Sequence, residues 1–159
     1  MKTLVAYFSA SGNTEAVAKK LAEALNADLF GIVPQVPYTP GDIKWTNPLA
    51  RCNREKLGRK DVPVVGRVER MEEYELVFLG FPIWYAAAPN VINTFVKDYD
   101  WTGKKIALFA TSGGSGIGKT AQKLKPYLKG APEIVAEQML RPTESDAALK
   151  QWAEHVRAL

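Results

Sequence analysis

Short apolar segments alternate with amphipathic segments along the whole chain. Five runs rich in β-branched, aromatic and aliphatic residues have the length and composition of buried strands, and they span residues 3–8, 27–33, 75–81, 105–110 and 133–138. Apolar residues at helical spacing predict helices over residues 15–26, 48–59, 89–99, 118–128 and 144–158. Strands that alternate with helices favour an α/β fold, in which a parallel sheet is covered on both faces.

The remaining segments do not divide the chain. Residues 34–47, rich in proline, tyrosine, tryptophan and glycine, are predicted to form an ordered loop, and residues 61–70 a short extra strand. We find no internal repeat and no long linker, and 159 residues is the length of one domain. The sequence therefore predicts a single domain over residues 1–159.

The loop after the first predicted strand, Ser9-Ala10-Ser11-Gly12-Asn13-Thr14, has the composition of a phosphate site. The helix that follows presents unpaired first-turn N–H groups to the loop, and its dipole favours an anion there. Ser9, Ser11 and Thr14 add hydroxyl groups, while Gly12 permits a backbone conformation in which amides converge. Asn13 or Thr14 is the expected helix cap. Because the loop lacks lysine and arginine, it suits a terminal phosphate monoester; an ordinary capped helix start is the alternative interpretation.

Two further loops are expected at the same edge of the sheet, because ligands of open parallel sheets bind outside the carboxyl ends of the strands. The loop at residues 80–89 is stiffened by two prolines and carries adjacent aromatic residues, Trp84 and Tyr85. The loop at residues 111–118 is rich in glycine, which lets backbone amides approach a planar polar ring edge closely. Core packing under a long loop is the alternative interpretation of the two aromatic residues.

A second motif competes for the function. Residues 113–120 match the G-x-x-x-x-G-K-[ST] pattern of nucleoside triphosphate loops, between a predicted strand and a predicted helix. In that interpretation Lys119 contacts the terminal phosphates and Thr120 holds magnesium. The apolar predicted strands do not end in the aspartate that completes such a metal site, so a P-loop NTPase is the lesser alternative.

Charge and cysteine content narrow the choice of partners and compartment. Lysine and arginine number 21 against 17 aspartate and glutamate, a net charge of +4, and basic residues are concentrated at residues 51–70. That stretch has no interleaved aromatic residues, so we expect no nucleic acid partner. The single cysteine, Cys52, cannot form an internal disulfide. One cysteine and one histidine, His155, are also too few for a typical metal site. We find neither a signal peptide nor a membrane-spanning run, and therefore expect a cytoplasmic protein without a membrane or metal partner.

The loop at residues 9–14 resembles the phosphate loop of the flavodoxins, in which Ser/Thr-x-Ser/Thr-Gly-Asn-Thr holds the phosphate of flavin mononucleotide (FMN). Pro82-Ile83-Trp84-Tyr85 and Thr111-Ser112-Gly113-Gly114 resemble the two loops that border the isoalloxazine ring in that family. The segment at residues 36–39, followed by Asp42, Trp45, Arg51 and Glu55, is similar to a short-chain bacterial flavodoxin-like subgroup. The resemblance spans the chain and implies a three-layer flavodoxin-like sandwich, whose five-stranded parallel sheet has the order 2-1-3-4-5.

The resemblance also implies FMN as the cofactor and indicates which residues bind it. Phosphate binding is expected from Ser9, Ala10, Ser11, Gly12, Asn13 and Thr14, and ring contacts are expected from Pro82, Ile83, Trp84, Tyr85, Ala86, Ser112, Gly113 and Gly114. No side chain is assigned a catalytic role, because a flavin carries the redox chemistry and the protein orients it.

The implied function is electron transfer, as a one-electron carrier or as the redox partner of a reductase. The other participant is then a transient protein partner or a small electron acceptor. Because flavodoxin carriers are typically acidic, the positive net charge of this chain implies a different partner. An FMN-dependent NAD(P)H:quinone-type oxidoreductase is the alternative. A flavin-free interaction module is a third class, since a fold does not fix a function.

Overall fold

Seven strands are found in the computed structural model of the chain, which describes residues 2–57, 61–85, 87–112 and 116–159. In chain order they are β1 (Lys2–Tyr7), β2 (Asp28–Gly31), β3 (Val33–Pro34), β4 (Val64–Val65), β5 (Tyr74–Pro82), β6 (Lys105–Thr111) and β7 (Glu133–Met139). Five of these described strands form one parallel sheet in the order β2-β1-β5-β6-β7. Counted within this sheet alone, the order is 2-1-3-4-5, which confirms the prediction.

The described residues include five α-helices, which cover both faces of the sheet. They are α1 (Asn13–Leu25), α2 (Arg51–Leu57), α3 (Asn90–Lys97), α4 (Thr120–Leu124) and α5 (Asp146–Arg157). Within the described part of the chain, no helix combines the length and the apolar character that are needed to cross a bilayer.

Successive residues of the central strands point to opposite faces of the sheet, and each face packs into its own buried cluster. Val77 and Leu79 of β5 belong to one cluster together with Phe95 of α3. Phe78, between them, belongs to the other cluster with Leu21 of α1 and residues of α5. This alternation produces three layers and explains why β5 reads as a continuous apolar run. The predicted α/β sandwich is confirmed.

The predicted cap of the first helix is wrong. The helix begins at Asn13 itself, and Gly12 occupies the cap position with φ 93° and ψ −12°, with no side-chain cap hydrogen bond among the described residues. Glycine adopts this left-handed conformation without steric cost. Ser9 closes the turn instead, because its Oγ accepts a hydrogen bond of 3.0 Å from the Gly12 N–H.

Three further element predictions need correction. The helix predicted over residues 118–128 ends at Leu124, and Lys125–Tyr127 form a 3₁₀ turn, because Pro126 cannot continue an α-helix. The strand predicted over residues 27–33 ends at Gly31. The strand predicted over residues 61–70 contracts to β4, which pairs antiparallel with β3 outside the main sheet.

A serine caps the last helix. Ser145 has an extended backbone, and its Oγ accepts a hydrogen bond of 3.1 Å from the Ala148 N–H. We expect Ser145→Ala to lower the free energy of unfolding by about 1 kcal/mol in urea denaturation, because it leaves the Ala148 N–H without its acceptor. Ser145→Asp keeps an acceptor and is the matched control. Equal losses in the two variants would contradict the capping role.

Candidate functional site

A cavity of about 560 Å³ opens at the carboxyl edge of the sheet. Segments that follow four neighbouring strands contribute to its lining: the loop after β1, the end of β5 with the loop after it, the end of β6, and the segment after β7. The edge lies where the chain winds from β1 to β2 on one side and to β5 on the other. Open α/β sheets bind ligands at such a switch point.

The predicted phosphate loop lies at this cavity, and its residues divide into two groups. Ser11 and Asn13 are exposed and line the cavity. Ala10 is half-buried and packs against the core, while Thr14 is only 2 % exposed. The Thr14 Oγ1 lies 2.8 Å from the Thr111 Oγ1 in a buried hydrogen bond. Thr14 therefore ties the start of α1 to the end of β6.

The electrostatics of this loop suit an anion. Helix α1 has thirteen residues and starts without a side-chain cap among the described residues, so its first-turn N–H groups remain for a ligand. Glu15, the acidic residue of the first turn, pairs with Lys19 at 2.8 Å. The negative charge nearest the helix start is thus partly compensated by its own neighbour.

The aromatic loop after β5 folds back in a tight turn. The Trp84 N–H donates to the Ala87 carbonyl at 2.9 Å, and the Ala87 N–H donates to the Trp84 carbonyl at 3.2 Å. This turn places Tyr85 in the left-handed region at φ 57°, which costs about 1–2 kcal/mol for a residue with a Cβ. The Tyr85 ring is held at the cavity and is 44 % exposed. Strain of this kind is characteristic of functional loops.

Tyr85 has a protonated hydroxyl at neutral pH. Partial burial and the Cys52 thiol, whose Sγ is 4.0 Å from the Tyr85 oxygen, raise the pKa of Tyr85 to about 12. The hydroxyl can therefore donate a hydrogen bond to a ligand. Cys52 itself is buried on α2 and also lines the cavity.

Trp84 has a double environment. Its ring lines the cavity, yet it also packs edge-on against Phe8 and Tyr38, with ring centroids 5.8 Å and 5.2 Å away. Core packing, the alternative interpretation of this residue, is thus part of its role. The packing fixes the orientation of one cavity wall.

Tyr38, which packs against Trp84, is itself held by an ion pair between Arg51 and Glu55. The Tyr38 hydroxyl donates to Glu55, and the Arg51 Nε lies 2.5 Å from the Glu55 Oε1. The Arg51 guanidinium also stacks 3.9 Å from the centre of the Tyr38 ring. Burial, together with the hydrogen bond to Glu55, raises the pKa of Tyr38. Arg51 and Glu55 therefore act as structural supports for the aromatic residues.

The glycine-rich loop after β6 is only partly described. Ser112 lines the cavity, whereas Ala86, Gly113 and Gly114 lie outside the described residues and stay predictions. Thr120, which the NTPase interpretation assigns to magnesium, is 1 % exposed, and its hydroxyl donates to the Ile117 carbonyl. The burial disfavours the NTPase interpretation, because a side chain that is 1 % exposed does not present its oxygen to a metal ion at the mouth of the loop.

Several cavity residues are absent from the set that the sequence assigns to FMN binding, although Thr111 lies in a loop predicted for this edge and Trp45 belongs to the resemblance. They are Ile43, Trp45, Cys52, Thr111, Leu140, Arg141 and Pro142. Arg141 follows the last strand, so the carboxyl-edge rule would have found it had the rule been applied to β7. Among the described residues its guanidinium takes part in no ion pair. It leaves a positive charge at the cavity.

The sequence profile described as Flavodoxin matches residues 2–156. A proposed flavoprotein from Bacteroides eggerthii is 36 % identical, with a TM-score of 0.89 over 98 % of both chains. One from Bacteroides uniformis is 35 % identical, with a TM-score of 0.88 over 96 % of this chain and 97 % of that one. A flavoprotein in complex with FMN from Lactobacillus acidophilus is 20 % identical, with a TM-score of 0.69 over 96 % and 98 % of the two chains, and shares the fold. The comparison with curated proteins found no match. The chain belongs to the flavodoxin family.

Proposed function

We propose that this protein binds FMN in the cavity and serves in electron transfer, as a one-electron carrier or as the redox partner of a reductase. The observation that supports this most directly is one continuous cavity that joins a helix start without a side-chain cap, seen among the described residues, to an aromatic loop. FMN has the same two parts, a phosphate dianion and a planar ring. A volume of about 560 Å³ also falls within the range of cofactor sites.

The residues divide the work of binding between the two ends of the cofactor. The segment at residues 9–14 receives the phosphate through backbone N–H groups and the exposed Ser11 hydroxyl. Trp84 and Tyr85 contact the ring face, and Ser112 with the neighbouring glycines meets its polar edge. FMN, when bound, supplies the electron-accepting chemistry, and the protein orients it. The FMN complex of the Lactobacillus protein, which has the same fold, supports this choice of cofactor.

The partner in electron transfer is expected to be acidic or anionic. The net charge of +4 steers an oppositely charged protein toward this one, and screening by salt weakens that steering. Arg141 adds a positive charge at the cavity itself, which also favours the second candidate, an FMN-dependent NAD(P)H:quinone-type oxidoreductase whose substrate carries phosphates.

Flavin titration tests the proposal. Apoprotein added to FMN is expected to change the fluorescence of the flavin saturably, with one flavin bound per chain. Adding ATP and magnesium is expected to leave that titration unchanged. An FMN signal that does not change at saturating protein would overturn the proposed function. Magnesium-dependent ATP binding that is lost in Lys119→Ala would favour the NTPase alternative.

Steady-state NAD(P)H oxidation separates the two redox roles. The isolated FMN-loaded protein is expected to turn over NAD(P)H only when a reductase is added, because electron transfer through a partner needs no nicotinamide site of its own. Robust turnover with a quinone and without a reductase would replace the carrier role by the oxidoreductase role.

A further inference from the structure

A third aromatic side chain stands at the cavity beside the two that were predicted. Trp45, on the segment between β3 and α2, is 73 % exposed and lines the cavity. Large aromatic side chains contribute most to the free energy of folding or binding when other atoms cover their rings. An exposed tryptophan therefore leaves a large apolar ring face available for contact with a ligand. Exposure alone does not distinguish Trp45, because Leu49 and Leu57 are at least as exposed and do not line this cavity.

The backbone that carries Trp45 is fixed. Asn53 of α2 is 7 % exposed, and its Nδ2 donates to the Trp45 carbonyl at 2.9 Å and to the Asn47 carbonyl at 2.7 Å. The Cys52 N–H holds the same segment through a 2.9 Å bond to the Asp42 carbonyl. The buried Asn53 amide donates both of its N–H groups to the exposed segment that carries Trp45. These bonds order the segment before a ligand binds. Ordering in advance reduces the entropy that binding must overcome.

We infer that Trp45 is an aromatic contact of the flavin ring and that Asn53 is the positioning residue that holds it at the cavity. This inference rests on the proposed binding of FMN. A planar ring is the occupant that a flat, exposed indole at a cavity of this size fits best, since stacking covers the whole face of both partners. Trp45 and Tyr85 reach the cavity from segments that are far apart in the chain, so together they can enclose more of the ring than a single loop can.

Removing the indole tests the contact. Trp45→Ala is expected to raise the dissociation constants of FMN and of riboflavin by the same factor, about 10- to 100-fold, because ring stacking does not involve the phosphate. The constants are measured by flavin fluorescence titration of the apoprotein. Thermal unfolding of the apoprotein is expected to be unchanged, since the side chain is mostly exposed. Trp45→Phe keeps an aromatic face and is expected to recover most of the affinity.

Leu49→Ala is the matched control: it removes an equally exposed apolar side chain from the same segment and is expected to leave both affinities unchanged. The inference is overturned if Trp45→Ala binds both flavins like the wild type, if only FMN is affected, or if Trp45→Phe recovers nothing. Failure of the wild-type protein to bind FMN is a different result, which overturns the proposed function instead.

A double-mutant cycle tests the role of Asn53. Asn53→Ala is expected to weaken the binding of both flavins about fivefold in the wild-type background and to add nothing in the Trp45→Ala background, because a positioning residue acts through the residue it positions. Equal effects in the two backgrounds would overturn the positioning role. The Trp45 variants decide the contact by themselves, and they leave the core intact should Asn53→Ala fold poorly.

Discussion

Replacing Ser11 with aspartate is expected to weaken FMN binding by at least two orders of magnitude and to leave riboflavin binding nearly unchanged. Ser11 is exposed and lines the cavity in the loop before α1, where the proposed function places the phosphate. Two unit charges 4 Å apart repel by about 4 kcal/mol at the effective dielectric constant of a protein surface. Screening by solvent lowers this value, and about 2.7 kcal/mol already corresponds to a 100-fold change.

We expect this variant to fold normally. An acidic side chain just before a helix interacts favourably with the helix dipole, and Ser11 is an exposed residue, so a larger side chain can extend into solvent. Ser11→Asn, of the same size and without charge, is the control and is expected to stay within a few-fold of the wild type. Titration of each variant with both flavins supplies the measurement. If FMN and riboflavin lose affinity equally in Ser11→Asp, the phosphate does not lie at this loop.

Much of the fold could be predicted because burial on both faces of a parallel sheet leaves a local signature. Residues 76–81 of β5 and 106–110 of β6 are all buried, and all of them except Gly80 are apolar. The cap of α1 could not be read in the same way, because serine, asparagine and threonine all suit a cap. The start of α1 is set by the left-handed conformation of Gly12 and by the hydrogen bond from its N–H to Ser9. The sequence alone does not tell which of several possible cap residues adopts such a geometry.

The residues of the cavity also differ in whether a local sequence pattern predicts their position. Ser11, Asn13 and Tyr85 follow strand ends, so a rule about sheet edges brings them together at the cavity. The strand that precedes Trp45 in the chain is β3, which lies outside the main sheet. Its place depends on the buried amide of Asn53 and on other hydrogen bonds across the segment. No periodicity along the chain encodes such tertiary contacts, which is why the sequence identifies Trp45 as part of a resemblance but not as a wall of the cavity.

Replacing Gly80 with alanine is expected to lower the free energy of unfolding by about 3 kcal/mol, and the melting temperature by about 10 °C. Gly80 pairs directly with Phe109 across β5 and β6. A Cβ on Gly80 would lie 2.1 Å and 2.2 Å from two carbon atoms of the Phe109 ring. Phe109 is fully buried among residues that include those of α1 and α5, so a shift of the ring has to displace its packed neighbours.

Gly41→Ala is the matched control, because the nearest described atom to its added Cβ is the Thr39 Oγ1 at 3.9 Å; thermal and urea unfolding are expected to show almost no change. Phe109→Leu in the Gly80→Ala background should recover part of the lost stability, since the two side chains compete for one volume. Losses that simply add in the double variant would contradict the clash.

The Gly80 carbonyl also accepts a 3.0 Å hydrogen bond from the Phe8 N–H, and Phe8 packs against Trp84. A shift of β5 in Gly80→Ala is therefore expected to move Trp84 through Phe8. The added methyl group should then weaken flavin binding as well as lower the stability of the sheet.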